Sequence, residues 1–259
     1  MDKSTLNPAR SIYYGLFSKL LVFTTRDDRF NGLEEALDVL IEHPISGRSG
    51  VALRRLQDFI REHGYEGLVV EYDAVFHEPV SPVVRTTASY YLEGFESGMK
   101  TVEVRNFLAR TRIRRNEAEY KEPEDSIGFL MTFMHELIEL IMEGGESYVS
   151  LHSCLFDDII NPFIDVFATK MLEHDKAVAY HEVAIILEEF MTFERLYFEV
   201  PAPKPGFIIT PKGEQDFIAD EEARRRAANR AAKEAESLTQ SCEIDVSNFE
   251  DEAGLEQID

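Results

Sequence analysis

The 259-residue chain carries 49 Asp and Glu against 27 Lys and Arg, a formal net charge of -22 at pH 7. That excess argues against sequence-independent nucleic-acid binding, which needs Lys and Arg to neutralise phosphates, and it favours basic partners. Two cysteines, Cys154 and Cys242, lack CxxC spacing, which speaks against a disulfide framework or a thiolate zinc site and for a reducing compartment.

With 44% hydrophobic residues the chain can bury a sizeable core, in one domain or two closely packed subdomains. The first residues show no apolar run ended by a cleavage site. No stretch approaches the ~20 apolar residues of a membrane span. The expectation is a cytoplasmic protein without stable membrane insertion.

Asn7-Pro8 reads as an N-cap and first-turn proline, opening a helix with Ile12, Tyr13, Leu16, Phe17, Leu20 and Leu21 on one side. Asn31 suits the cap of a second helix that stops before Pro44, and Ser49 the cap of a third that stops at Gly64. A fourth helix runs through Leu68, Val69, Tyr72 and Phe76. Residues 77–82 form a loop, and helical faces follow at 88–95 and 102–108. Residues 111–122 are charged and without periodicity, so they read as a linker. Pro123 among acids suits a helix N-terminus, and Ile127, Leu130, Met131, Met134, Leu137, Ile138 and Ile141 recur at helical spacing. Phe129 and Phe133 widen this stripe until the helix belongs at the centre of a bundle, with Gly144-Gly145 as its stop. Residues 147–160 are expected to be helical, with Cys154 in the core, and Asn161-Pro162 to start a new helix. Asp175 is expected to cap a long last one with Val178, Ile185, Ile186, Phe190, Phe193 and Leu196 inward.

No run alternates with period two, and no βαβ rhythm occurs. The fold class is all-α: a single compact bundle of about ten helices over residues 1–200, in two closely packed halves joined by a hinge at about 111–126. Residues 201–213 read as a proline-punctuated connector and 214–236 as a charged surface helix. Residues 237–259 hold seven acids and no Lys or Arg, and read as a disordered acidic tail. The acidity is not confined there, since residues 1–211 carry 35 acids and 21 bases, a formal -14.

For catalysis the signals are poor. No His has Glu three residues before it, so the di-iron bundle pattern is missing. The HELIE run at 135–139 has Glu139 where a zincin has its second histidine, and His135 suits a satisfied bundle histidine better. GxSxG, Walker A and GxGxxG patterns are absent. Binding is better supported. Tyr72, Phe76, Tyr90, Tyr91 and Phe95 form an aromatic block ahead of the linker, and Glu122, Glu124 and Asp125 place acids after it. A groove with aromatic walls and carboxylates at its mouth suits a peptide carrying an apolar segment and arginines. The competing readings are aromatics that are plain core and acids that are plain helix-end charges.

At these residues the chain resembles redox-enzyme maturation chaperones of the TorD/DmsD/NarJ type. LVVEYDAVFHEP at 68–79 resembles the family's helix ending in a Phe-x-x-Pro loop. Residues 104–137 resemble its Val-Arg-x-Phe helix, charged linker and Glu-Pro-x-Asp-His motif, here Glu122-Pro123-Glu124-Asp125-Ser126. Residues 161–198 resemble its closing Pro-aromatic helix and long last helix, and Tyr13–Phe17 its N-terminal pattern. Ser126 stands where the family has His, and Phe163 where it has Trp. The resemblance implies a non-catalytic chaperone without cofactor or metal. Its partner would be the apo-form of a molybdopterin oxidoreductase catalytic subunit, bound through its twin-arginine signal peptide or N-terminal segment. Cofactor insertion would be assisted and export delayed, and the chaperone itself would be a monomer or a homodimer. The residues implied for client binding are Tyr72, Phe76, Tyr91, Glu122, Pro123, Asp125, Ser126, Phe129 and Phe133.

Overall fold

The computed structural model describes residues 3–23, 27–78, 83–116 and 120–204. Among the described residues there are nine α-helices and no strand: α1 (Asn7–Leu21), α2 (Leu33–Glu42), α3 (Gly47–Phe76), α4 (Ala88–Glu93), α5 (Met99–Ala109), α6 (Ile127–Met142), α7 (Val149–Leu155), α8 (Asn161–Leu172) and α9 (Ala179–Phe198). All described residues belong to one compact unit, residues 1–211. The charged helix and acidic tail expected beyond it, with most of the connector, lie outside the described residues, as do 79–82 of the expected loop.

The helix starts depart from the local capping signals at several places. Asn7 lies inside α1 after a 3-10 turn, because its Oδ1 accepts from Arg10 Nη1 at 2.9 Å and from the Tyr197 hydroxyl at 3.0 Å. Gly32, not Asn31, precedes α2. Ser46 rather than Ser49 caps α3, and Ser49 returns the favour by accepting from the Ser46 N–H at 3.0 Å. Gly64 interrupts α3 at φ 66°, a conformation that disfavours side chains, so the sequence stop there is a break within one longer element. Helix α6 starts at Ser126, whose hydroxyl accepts from the Phe129 N–H, and not at Pro123.

Helix α8 starts at Asn161 with Pro162 in its first turn, as the sequence predicts, but no non-helical break precedes it. The chain stays helical from α7 through a π-turn (Phe156–Ile160) into α8, so the missing proline N–H falls where the wider turn has already loosened the ladder. Asp175 does not cap α9. Its N-terminus is capped from α3 by Glu71 Oε1, which accepts from the N–H groups of Val178 and Tyr180 at 2.7 Å each. Val178 and Leu196, expected inward, are exposed, and Cys154 faces outward on α7 instead of the core.

Helix α6 is buried along most of its length, with Leu130, Met131, Met134, Leu137 and Ile138 inaccessible. It lies along α1, where Gly128 meets the backbone of Leu21 and Val22, and Ser18 Oγ lies 2.6 Å from Thr132 Oγ1. Helix α9 packs on α3 and α8 and reaches α1 through Phe190, whose ring centroid is 4.9 Å from both Tyr13 and Tyr14. A buried ion pair ties α1 to α9: Arg10 donates to both Glu194 oxygens at 2.6 Å, and Tyr14 donates to the same carboxylate at 2.7 Å. Burial alone would lower the Arg10 pKa, but the Glu194 carboxylate more than offsets this and raises it. His152 of α7 lies beside Arg10, and burial first, then that charge, hold it well below its usual value and therefore neutral.

Candidate functional site

Between α5 and α6 the described residues 111–116 and 120–126 are non-helical, and they end in the corner that the sequence singles out. The corner is tied to the strand-like run before α4. Ile127 N–H donates to Thr86 O at 2.8 Å and Ala88 N–H to Asp125 O at 2.9 Å, around a bridge between Thr87 and Ser126. Asp125 is inaccessible. Its Oδ2 accepts from the Ser89 N–H at 2.9 Å, capping α4, and its Oδ1 accepts from Thr101 Oγ1 of α5 at 2.8 Å. Pro123 accepts from the Ser126 N–H at 3.0 Å and closes the turn.

Glu122 reaches the other way. Its carboxylate accepts from Phe23 N–H at 3.3 Å and Thr86 Oγ1 at 3.0 Å, joining the end of α1 to the corner. Burial pushes its pKa up, and these two bonds and nearby His77 do not fully offset that. Glu124 pairs with Arg105 at 3.0 Å and Arg115 at 3.5 Å. Burial pushes it up, but the hydrogen bond from Arg105 and the two guanidinium charges outweigh burial and lower its pKa.

The aromatic residues expected to line one groove fall into two groups. Tyr72, Phe76 and Tyr91 are interior. Tyr72 lies 4.8 Å from Phe76, Phe76 stacks on Phe167 at 6.3 Å and Tyr91 on Phe163 at 5.6 Å, a ring cluster shared by α3, α4 and α8. The Tyr72 hydroxyl donates to Leu21 O and the Tyr91 hydroxyl to Arg85 O, and burial raises both phenol pKa values. Phe95 is exposed.

Phe129 and Phe133 form the second group, on the flank of α6 that faces the linker. There Ile113, Tyr120, Phe129, Phe133 and Leu140 floor a groove of about 440 Å³. The Tyr120 ring meets Phe129 edge-on at 5.8 Å. Glu136, Glu139 and Glu143 line one wall, and Arg112, Arg114 and Arg115 the other; Arg112 spans the walls to Glu143 at 2.6 Å. His135, just behind, is satisfied by the Ser11 hydroxyl and carbonyl at 2.9 and 3.0 Å, while Glu139 accepts from that same hydroxyl. A groove of this size with an apolar floor is within the range of peptide and ligand sites, and its rim is charged, with three Glu facing three Arg.

The three carboxylates were not singled out from the sequence, although their signal was there: positions 136, 139 and 143 share one helix face. Arg112 and Tyr120 lie in a segment without periodicity, which gives their side chains no facing in the sequence. Among the described residues no three His, Cys, Asp or Glu side chains converge as metal ligands would, and no helix is long and apolar enough to cross a membrane. The model of the nitrate reductase delta subunit family matches residues 44–169, a span from the last residues before α3 through most of α8 that contains the corner and the groove. No curated protein matches the chain.

Proposed function

Because residues 44–169 belong to the nitrate reductase delta subunit family, a family of molybdoenzyme assembly chaperones and not of enzymes, we propose that this protein binds the N-terminal segment of a molybdenum oxidoreductase catalytic subunit in the groove between α6 and the linker. The bound segment is a twin-arginine signal peptide. Holding it in the cytoplasm delays export until the cofactor has been inserted.

The observation that carries this reading is the pairing of an aromatic floor, Phe129 and Phe133, with a row of carboxylates, Glu136, Glu139 and Glu143. Carboxylates take guanidinium groups in two-point contacts, and the floor accepts the apolar stretch that follows the arginines. Glu122, Pro123, Asp125 and Ser126 shape the corner from which α6 springs, while Tyr72, Phe76 and Tyr91 hold the interior behind it.

Titration with a twin-arginine signal peptide tests this. The double variant Glu136→Gln/Glu143→Gln is expected to weaken binding by about tenfold and to flatten its salt dependence. Unchanged affinity and salt slope in a folded double variant would remove the groove from the account. Equal binding of a peptide whose arginines are replaced by glutamine would remove the twin-arginine specificity and point to a client that is not exported.

A further inference from the structure

Helix α5 begins on an apolar face that the described residues leave exposed, formed by Phe95, Met99 and Val102. Met99 and Val102 are three residues apart and share a side of the helix. Phe95 Cε2 lies 3.0 Å from where a Gly98 Cβ would stand, at the start of α5. The corner presenting these side chains is strained and held in shape. Ser97 sits at φ 59°, a left-handed conformation that side chains disfavour. Glu93 accepts from the Met99 and Lys100 N–H groups at 2.8 and 2.7 Å, and Arg85 pairs with Glu96 at 3.4 Å.

The last described residues, up to Lys204, start from an anchor close to this face. Asn161 Nδ2 donates to Pro201 O at 3.1 Å, and Asn161 directly follows the π-turn, whose Asp158 O accepts from Lys100 Nζ at 3.3 Å. One helical turn and one lysine side chain therefore separate Pro201 from the start of α5, roughly 15 Å, within the ~20 Å that six extended residues span. Six residues beyond Pro201 stand Phe207, Ile208 and Ile209, bounded by Pro205 and Pro211 and outside the described residues. We propose that residues 205–211 dock on Phe95, Met99 and Val102 of the same chain. The prolines disfavour a helix there, and in an extended segment Phe207 and Ile209 point the same way, so both meet the face. The docked segment adds a hold on α5, the helix that leads into the arginine wall of the groove. None of this depends on what the groove binds.

Methionine oxidation of the full chain by dilute peroxide, read by mass spectrometry, tests the docking. Met99 is 65% exposed in the described structure and Met142 41%, so an uncovered Met99 oxidises the faster of the two. The proposal predicts the reverse order. The triple variant Phe207→Ser/Ile208→Ser/Ile209→Ser is expected to speed Met99 oxidation about tenfold, as when burial of two or three side chains is set against ordering a short segment. Met142 should not change. Val102→Glu, at an exposed position, should free Met99 as the triple variant does. Faster oxidation of Met99 than of Met142 in the unaltered chain would overturn the proposal. So would protection that survives the triple variant, which means another occupant, or protection that grows with protein concentration, which means a second copy of the chain.

Discussion

Asp125 spends both carboxylate oxygens inside the protein, on the Ser89 N–H and the Thr101 hydroxyl, and exposes nothing to a client. Asp125→Ala leaves two buried donors without an acceptor and is expected to cost about 3 kcal/mol in denaturant unfolding, with peptide affinity of the folded fraction unchanged. A loss of affinity at unchanged stability would put this carboxylate in the binding site instead. Glu122 makes a different prediction, because its folded pKa is raised above that of the unfolded chain. Its contribution is therefore complete at acid pH and is lost as pH rises through the folded value. Glu122→Gln removes that titration, so the melting temperature of the variant relative to wild type should climb from the ordinary carboxylate range towards neutral pH. A difference that is flat with pH would contradict the assignment.

At the scale of elements, three helices are capped by acids from elsewhere in the chain. Glu71 caps α9, Asp125 caps α4, and Glu93 caps α5 through the N–H groups of Met99 and Lys100 at 2.8 and 2.7 Å. Sequence rules for helix starts look at the cap residue itself, so they misplace the start of α9 and read Asp125 as a free carboxylate. The helices themselves were legible because their apolar spacing is strong, above all in α6, and because Gly64 and Gly144-Gly145 punctuate them. Gly128 carries the α1–α6 contact. A Cβ there would come within 2.6 Å of the Leu21 carbonyl carbon and the Val22 Cα, both backbone atoms that cannot step aside. Gly128→Ala is expected to destabilise the protein by about 3 kcal/mol in equilibrium unfolding, and a near-neutral result would mean that the two helices separate easily.

For the whole molecule, the acidic excess has two uses. Part of it is structural, in caps and in the buried Arg10–Glu194 pair; part lines the groove, where the proposed function has it draw basic segments in a salt-sensitive way. Composition alone suggested the second use and could not separate it from the first, since exposure is set by tertiary packing. The same limit explains the site residues. Phe129 and Phe133 were legible as candidates and do line the groove, whereas Tyr72, Phe76 and Tyr91 carry the same residue type and lie in the core. The central claim is that the client lies between α6 and the linker. A twin-arginine peptide bearing a photo-crosslinker in its apolar stretch tests it most directly. The account predicts attachment to α6 between Phe129 and Glu143 and to Arg112–Arg115 or Tyr120, whereas attachment confined to the outer faces of α3, α8 or α9 would contradict it.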